Sequence, residues 1–386
     1  MIGWKRQLDV KIAGHFDKYK EILVLLGARQ VGKTTLLKKI FPKAQCLSVD
    51  SQPVREMLNR YDPSVYQQIL RPEVEQVIID EIHKLNDPGR AAKIIYDQLP
   101  RYKLIITGSS AFNIKNKASE SLAGRKIEYR LFPLTFSEYL VQKEVANNFS
   151  SLFLNKLTEK KVYTFDLTSI VDNVLIYGLY PAMISRPADA VYLINLVDSV
   201  VFKDLLDLSL IENREGALNL LKLLAYQIGS LVNYAELATL LGMEAKTIKR
   251  YINLFEQSFI VFKILPYSTK KRDEIGKMPK IYFYDLGLRN AIIENFQPIN
   301  SRPDGGSMFE NFVIAEVIKT NYYEDLGYKL NYWRTKQGSE IDLVLFKTNG
   351  ELKGVEIKTT ARASNKAFLN RYPQAKMIVV TKQNFY

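Results

Sequence analysis

Residues 27 to 34 carry the clearest chemistry in the sequence, because they form a complete phosphate-binding loop. The segment consists of Gly27, Ala28, Arg29, Gln30, Val31, Gly32, Lys33 and Thr34. This G-x-x-x-x-G-K-[ST] spacing points successive backbone amides at phosphate, extends the lysine to the terminal phosphates and supplies the threonine hydroxyl to Mg2+. We therefore predict a nucleoside triphosphate and Mg2+ site here, with Thr35 as a further binding residue.

Two carboxylates at the end of an apolar segment form a second candidate site. Residues 75–81 have the pattern of a buried strand that ends in Asp80 and Glu81. Nucleotide-binding folds use one acid at such a position to hold Mg2+ and another to activate the attacking water. We assign Asp80 to the metal and Glu81 to catalysis.

A third apolar strand, residues 103–107, continues into Gly108 and Ser109. We expect the hydroxyl of Thr107 or Ser109 to sense the terminal phosphate of the bound nucleotide. The alternative is that these hydroxyls only satisfy loop amides, a common use of Ser and Thr at strand ends.

Another set of acids lies near the end of the sequence. From Ser307 the pattern predicts a helix, three strands, a helix and a strand, with Asp342 on the middle strand and Glu356 and Lys358 ending the next. This arrangement resembles the PD-(D/E)xK nuclease core, in which two carboxylates bind Mg2+ and the lysine orients water or neutralises phosphate. Glu310 matches an acid that this family places on its first helix. The alternative is a catalytically silent remnant whose acids only cap a polar sheet face.

The nuclease interpretation requires Asp342 and Glu356 to share one face of the sheet. A two-residue hairpin turn would place them on opposite faces, whereas a three-residue loop, residues 348–350 with Gly350 left-handed, places 342 opposite 356. The second register also gathers one apolar face, which consists of Ile341, Leu343, Leu345, Val355 and Ile357. We predict the second register, because the first would mix carboxylates into the core.

The elements around the phosphate-binding loop indicate an α/β domain. Residues 22–26 are an unbroken apolar run of strand length, and residues 34–40 have helical spacing. Strands and helices alternate through residues 1–140, which predicts a three-layer P-loop domain with a largely parallel sheet. We expect a helical, lid-like region in residues 141–216.

Residues 217–266 have the pattern of a winged helix-turn-helix, with Gly242 at the turn. On the third helix Lys246, Lys249 and Arg250 fall at i, i+3 and i+4, a basic stripe suited to a DNA groove. Ile248, Ile252 and Phe255 occupy the opposite, apolar stripe. The alternative is a winged helix that only supports the fold or docks a protein, because nearby acids offset the three cations.

Several segments together resemble the prokaryotic AAA-type ATPases that carry a C-terminal domain of unknown function (4143). These segments are the phosphate-binding loop and residues 80–84, 107–109, 122–125, 280–289 and 309–311. The resemblance implies that the nucleotide is ATP, bound with Mg2+ and hydrolysed. Arg125 is our candidate for the arginine that contacts a terminal phosphate, within its own chain or from a neighbouring copy. Arg29 and Arg130 are alternatives, and each of the three could instead form an ordinary surface salt bridge.

Composition limits the functional classes. The 386 residues carry a net charge of +13 and one cysteine, Cys46, which suits a reducing cytoplasm and excludes an internal disulfide framework. The surplus of basic residues favours a polyanionic partner, of which DNA is our candidate, although a Lys-rich solvated surface is the alternative. No apolar run reaches the length of a membrane span, and we expect no membrane partner. The remaining residues, 267–386, form the predicted nuclease-like α+β domain.

The leading hypothesis is a cytoplasmic ATPase in which Mg-ATP binding between domains or subunits moves a winged-helix and nuclease-like module on DNA. A homo-oligomer or a protein partner fits the same hypothesis. A second hypothesis is a nucleotide-controlled binding switch with a silent C-terminal domain. A third is a metal-dependent DNA nuclease that the ATPase domain gates.

Overall fold

The computed structural model describes residues 4–108, 122–148, 167–203, 210–268, 278–358 and 366–386. The chain forms two compact units, one containing Met1–Pro133 with Gln257–Phe259 and the other Leu134–Glu256 with Ile260–Tyr386. The predicted boundaries after residues 140, 216 and 266 all fall inside the second unit, so the four-part division stays a prediction. Within the described ranges, no helix is both long and apolar enough to cross a membrane.

The described part of the first unit alternates strands with helices, as the sequence pattern predicts. Its strands are β1 (Ile22–Leu26), β2 (Gln45–Ser48), β3 (Gln76–Asp80), β4 (Lys103–Gly108) and β5 (Lys126–Arg130). Its helices are α1 (Asp9–Ala13), α2 (His15–Lys18), α3 (Lys33–Ile40), α4 (Gln52–Leu58), α5 (Pro63–Ile69) and α6 (Pro88–Gln98). A 3-10 turn, Ile82–Lys84, follows β3.

The strands of the first unit form one parallel sheet in the order β2-β3-β4-β1-β5. Every residue of β1 is buried, as expected for a central parallel strand covered on both faces, whereas the edge strands β2 and β5 are only half-buried. This confirms the predicted parallel α/β sheet. Because parallel strands share one carboxyl-terminal edge, the segments that follow β1, β3 and β4 lie side by side.

The second unit combines helices with a six-stranded mixed sheet. Its helices are α7 (Phe136–Gln142), α8 (Leu167–Tyr177), α9 (Ala182–Ser185), α10 (Ala190–Val197), α11 (Arg214–Tyr226), α12 (Tyr234–Leu241), α13 (Ala245–Gln257), α14 (Leu286–Ile292), α15 (Gly305–Tyr323) and α16 (Lys366–Arg371). Two short segments, Asp198–Phe202 and Ile299–Ser301, have π and 3-10 geometry. Its strands are β6 (Val261–Pro266), β7 (Lys280–Phe283), β8 (Lys329–Arg334), β9 (Glu340–Phe346), β10 (Leu352–Ile357) and β11 (Lys376–Val380).

The strand order of the second sheet is β11-β10-β9-β8-β6-β7. Strand β11 is parallel to β10, the pairs β10–β9 and β9–β8 are antiparallel, and β6 runs parallel to β8 and antiparallel to β7. From α15 onward the order of helix, three strands, helix and strand is the one predicted from Ser307. The predicted boundary at 266 passes through this sheet, because β6 and β7 extend it beyond β8.

The hairpin between β9 and β10 adopts the predicted register. Leu343 pairs with Val355 and Phe346 with Leu352, so positions 342 and 356 are opposite each other. The loop comprises residues 348–350, closed by the Lys347 N–H bond to the Glu351 carbonyl, and Gly350 has φ +90°. The five residues of the predicted apolar face are all buried. The face that carries Asp342 is also covered, a feature that the prediction did not include, because Val344 is fully buried within a cluster that contains Phe368.

Helices α11 to α13 form the predicted three-helix arrangement. Gly242, at φ +60°, ends α12 and allows the chain to turn into α13. The apolar stripe of α13 is buried as predicted, with Ile248, Ile252 and Phe255 inaccessible to solvent. The strands β6 and β7 follow this helix, and Leu231, between α11 and α12, bridges to Lys280 at the start of β7.

A buried polar group holds α14 in place within the second unit. The Arg289 guanidinium donates to the Ala225 carbonyl over 2.8 Å and to Asp304 over 2.6 Å, and Arg302 donates to the same carboxylate over 2.8 Å. Burial acts to raise the pKa of Asp304, but the hydrogen bonds from the two arginines outweigh it and lower the pKa to about 2. Sequence inspection gave these residues no role beyond the resemblance.

Candidate functional site

The phosphate-binding loop leaves β1 at the carboxyl edge of the first sheet and enters α3. Gly32 is the N-cap of α3 with φ +94°, and Gln30 has φ +60°, a conformation that is uncommon for a residue other than glycine. These left-handed residues turn backbone N–H groups toward the inside of the loop. Gly27 is required by close packing, because a Cβ atom there would lie 2.2 Å from the Leu131 carbonyl oxygen.

Lys33 folds over the loop that precedes it. Its side chain is buried, and its Nζ donates to the carbonyl oxygens of Gly27 over 3.0 Å and Ala28 over 2.9 Å. The ammonium group therefore lies against the loop into which a phosphate would bind. Around it, Ala28 and Val31 bury their side chains, while Gln30 and Thr35 are exposed and Arg29 is half-buried.

One hydrogen-bonded group joins the loop to the two neighbouring strands. The Thr34 hydroxyl donates to Asp80 Oδ2 over 2.8 Å, and the Thr107 hydroxyl donates to Oδ1 of the same carboxylate. Thr107 also accepts the backbone N–H of Glu81 over 3.1 Å. Because β4 lies between β1 and β3, Thr107 is placed where it can reach both acidic residues.

Thr107 contacts both acidic residues. Its side chain is completely buried, and its hydroxyl is engaged by Asp80 and Glu81. Its contact with the terminal phosphate stays a prediction. The alternative sensor, Ser109, lies outside the described residues.

Glu81 adopts a left-handed conformation, with φ +58°, directly after β3. Its carboxylate lies 3.5 Å from His83 Nε2, and its side chain is partly exposed while that of His83 is 1% exposed. Because this conformation differs from that of an extended strand, the chain changes direction at Glu81, the residue after Asp80. Sequence reasoning assigned no function to His83, which here contacts the predicted catalytic acid.

Arg6 supports the loop from the N-terminal segment. Its guanidinium is buried and donates to the carbonyl oxygens of Val31 over 3.0 Å and Phe132 over 2.7 Å. Val31 belongs to the loop, and Phe132 follows the Leu131 carbonyl that packs against Gly27. The sequence contained no signal for this contact, because Arg6 belongs to no motif.

Arg125 is not brought to the phosphate-binding loop of its own chain. It precedes β5, its carbonyl accepts the N–H of Ile22 at the start of β1, and its side chain pairs with Asp97 at 3.0 Å. The loop lies at the other end of the same strands, about 16 Å away at 3.3 Å per residue. Of the alternatives, Arg130 is opposite Leu26, the last residue before the loop.

The predicted basic stripe lies on the exposed side of α13. Lys246, Lys249 and Arg250 are all exposed, and Arg250 pairs with Glu212 over 3.1 Å. This surface contact reduces the positive charge that the stripe presents. The stripe nevertheless retains two exposed lysines on one helix face.

In the second sheet the nuclease-like residues come together as the register requires. Asp342 Oδ2 accepts the backbone N–H of Ile357 over 2.7 Å and lies 4.0 Å from Lys358 Nζ. Burial raises the pKa of both Asp342 and Glu356 above their usual values, and Lys358 only partly offsets this effect. The two acids and the lysine therefore share one region, as predicted.

Glu310 is engaged by other side chains. Its Oε1 accepts the Tyr282 hydroxyl over 2.6 Å and lies 3.4 Å from Lys280 Nζ. The same ammonium group contacts Glu340 Oε1 at 2.5 Å. Sequence reasoning missed Lys280, Tyr282 and Glu340 as members of this site.

The two predicted Mg2+ sites differ in their donor sets. At the loop, Thr34 and Asp80 supply hard oxygen atoms, which fit an ion that keeps several waters and binds substrate phosphates. At the nuclease-like site, the ammonium group of Lys280 lies 3.4 Å from Glu310, so Glu310, the possible third ligand, does not fit a divalent ion, while the assignment of Asp342 and Glu356 to a metal stays a prediction. No group of three or more His, Cys, Asp or Glu residues arranged to hold a metal occurs in the described part of the chain.

Comparison with protein families gives three matches. Residues 19–140 match the AAA domain, residues 168–298 match a domain of unknown function (DUF8612), and residues 305–386 match a second domain of unknown function (DUF4143). The first and third matches agree with the resemblance that the sequence motifs indicated. The second spans the predicted lid-like and winged-helix regions.

Relatives extend over most of the chain. Uncharacterized protein MJ1637 of Methanocaldococcus jannaschii is 27% identical over 372 residues, covering 88% of this chain and 77% of its own length. Uncharacterized protein Rv2008c of Mycobacterium tuberculosis is 26% identical over 353 residues, and the match covers 89% of this chain and 71% of that protein. Their names give no activity that could be transferred.

Solved structures show only distant similarity. The Thermotoga maritima RuvB Holliday junction branch migration motor has a TM-score of 0.34 and 19% identity, covering 66% of this chain and 86% of its own. A Pyrococcus horikoshii STAND protein, PH0952, has a TM-score of 0.29 and 15% identity, and the match covers 82% of this chain and 47% of that protein. We draw no conclusion from values this low. The AAA-domain match itself covers β1 to β5 and the whole phosphate-binding loop.

Proposed function

We propose that the first unit binds and hydrolyses ATP with Mg2+ at the phosphate-binding loop. The observation that supports this proposal most directly is the 2.8 Å bond between Thr34 and Asp80, two residues that are 46 positions apart in the sequence. A P-loop site requires this hydroxyl and this carboxylate to meet beside the loop lysine. Lys33 lies on that loop, as its bonds to two loop carbonyls show.

Each residue then has a distinct task. The loop amides and Lys33 bind the phosphates, and Thr34 and Asp80 hold the cation. Glu81, partly exposed beside Asp80, orients the attacking water and accepts its proton. Mg2+, when bound, neutralises the charge that develops on the phosphates during transfer. Thr107 and Arg6 keep the acids and the loop in position.

Binding and hydrolysis are tested separately. Lys33→Ala should abolish binding of a fluorescent ATP analogue, while Lys38→Ala, which alters an exposed lysine on the same helix, should bind normally. Glu81→Gln should bind ATP and lose turnover, whereas Glu75→Gln, at an exposed acid just before β3, should retain it. Unchanged affinity in Lys33→Ala would refute the site, and normal turnover in Glu81→Gln would place water activation elsewhere.

We further propose that α11 to α13 with β6 and β7 act as a winged helix that binds DNA. Support comes from the exposed position of Lys246, Lys249 and Arg250 on α13 and from the β6–β7 pair that follows it. A winged helix that docks a protein remains the alternative, because Glu212 pairs with Arg250.

Charge reversal of the three residues should weaken DNA binding and reduce the slope of affinity against salt concentration by about one unit per lost phosphate contact. Charge reversal of Lys376, an exposed lysine on β11, is the matched control and should leave both quantities unchanged. ATPase activity measured with and without duplex DNA then shows whether binding is coupled to turnover. Equal salt slopes for the triple variant and the control would exclude this surface from DNA binding.

A further inference from the structure

Lys280 is a buried cation that contacts Glu310 and Glu340 in the second unit. Together with the neighbouring Asp342, these residues form what we call the acidic pocket. The Lys280 side chain is 5% exposed, and its Nζ lies 2.5 Å from Glu340 Oε1 and 3.4 Å from Glu310 Oε1. An ammonium group offers three donors to surrounding oxygen atoms. Lys280 thereby supplies from the protein itself the positive charge that buried carboxylates require.

Two carboxylates balance the charge of this lysine, because Glu310 and Glu340 both lie within ion-pair distance of its ammonium group. The pocket thus contains a cation that belongs to the protein itself. A divalent ion bound to Glu310 would have to share that carboxylate with a fixed positive charge, at the cost of close like-charge repulsion.

Backbone contacts fix the pair in place. On α15, the Asn311 side chain accepts the N–H of Phe283 over 2.7 Å and donates to its carbonyl over 2.8 Å, which ties the helix to β7. Glu310, the neighbouring residue, is thereby held beside Lys280, and the Tyr282 hydroxyl donates to it over 2.6 Å. Because residues i and i+2 of a strand share a face, Lys280 and Tyr282 both reach the acid.

We propose that Lys280 is the resident cation of this pocket, taking the place of the divalent ion that a PD-(D/E)xK site would hold. The described residues of this pocket therefore hold no catalytic metal and do not cleave phosphodiesters. This inference disagrees with the function that the resemblance implies, and it is independent of the proposed ATPase activity. It favours the hypothesis of a silent C-terminal domain.

The test is Mn2+ binding to the nucleotide-free full-length chain, followed by electron paramagnetic resonance. Wild type, Glu310→Gln and Asp342→Asn should all bind the same number of ions, because the pocket takes none. Lys280→Gln should gain one bound ion per chain, and adding Glu310→Gln should remove it. The matched control is Lys263→Gln, which alters a lysine on the adjacent strand that pairs with Glu256 at 2.9 Å, and it should gain no ion.

Two results would overturn the inference. One is a wild-type ion that Glu310→Gln or Asp342→Asn removes, which would mean that the pocket already holds a metal. The other is a folded Lys280→Gln protein with no additional ion. If Lys280→Gln does not fold, the comparison of wild type with Glu310→Gln and Asp342→Asn still decides, because all three retain the lysine. ATP turnover of these variants should equal that of wild type. The ATPase proposal is tested by other variants, so its failure would not be confused with a failure of this inference.

Discussion

The position of Thr107 makes a prediction that separates positioning from direct phosphate contact. Thr107→Val keeps the shape of the side chain but removes the hydroxyl that donates to Asp80 and accepts the Glu81 N–H. A hydrogen bond to a charged group contributes about 1.5–3 kcal/mol, and an unpaired buried amide costs about 1–3 kcal/mol. Both losses fall on residues that hold the cation and the attacking water.

We expect kcat/KM for ATP to fall about 10-fold to 100-fold in Thr107→Val, because each factor of ten corresponds to about 1.4 kcal/mol. The matched variant Thr107→Ser retains the hydroxyl and should stay within about threefold of wild type, a loss of less than about 0.7 kcal/mol. Steady-state ATPase kinetics on the two variants give this comparison directly. Equal kcat/KM values for the Val and Ser variants would refute the positioning role.

Nucleotide affinity without Mg2+ provides a second and independent measure. The loop contacts of Gly27, Ala28 and Lys33 do not involve Thr107, so the metal-free dissociation constant of ATP should be the same in wild type and Thr107→Val. Only the gain in affinity on adding Mg2+ should shrink, because Asp80 loses its bond to the Thr107 hydroxyl. A weaker metal-free affinity would instead indicate that the hydroxyl contacts phosphate.

Three further predictions concern packing, support and pH. Gly27→Ala should weaken ATP binding about 5-fold to 160-fold, because overpacking by the new Cβ costs about 1–3 kcal/mol. Gly14→Ala, whose Cβ would meet its nearest atom at 3.5 Å, should bind normally in the same assay. Arg6→Gln should raise the KM for ATP more than it lowers kcat, because Arg6 donates to the Val31 carbonyl of the loop that binds the phosphates. A fall in kcat with an unchanged KM would show that Arg6 does not support the loop. The lowered pKa of Asp304 implies about 2 kcal/mol of folding stability above pH 3.8 that is lost as the pH falls toward 2. In urea unfolding, the free energy of unfolding of Asp304→Asn should lie below that of wild type above pH 3.8 and should approach it as the pH falls toward 2. A difference between the two proteins that does not change with pH would contradict the lowered pKa of Asp304.

Local patterns allowed the sequence to predict the phosphate-binding loop and the C-terminal hairpin. The loop is one continuous segment whose residue types and neighbouring elements can be read together. The register of β9 and β10 followed from the length of one turn and from which residues need burial, and the structure has Leu343 opposite Val355 as expected. The burial of Val344 was missed, because alternation along one strand does not reveal what packs on its second face.

Contacts between distant segments account for what the sequence could not provide. Arg6 reaches Phe132 across 126 positions, and no spacing rule connects a lone arginine to a carbonyl at that separation. For Arg125, the strand direction places the residue at the end of the sheet opposite the loop of its own chain, so its contact with phosphate stays a prediction for a neighbouring copy only. Sheet topology, and not local sequence, decides both cases.

The acidic pocket shows why a motif alone does not establish an activity. Asp342, Glu356 and Lys358 satisfy the nuclease pattern, and the hairpin brings them together as that pattern requires. Whether such acids bind a metal depends on the charge that surrounds them, because a buried carboxylate that is already paired gains less from a second cation. Among the described residues, the cation that contacts Glu310 is Lys280, supplied by a strand outside the motif and 30 positions away in the sequence. Lys280 therefore argues against a metal at Glu310, although Asp342, Glu356 and Lys358 match the nuclease pattern.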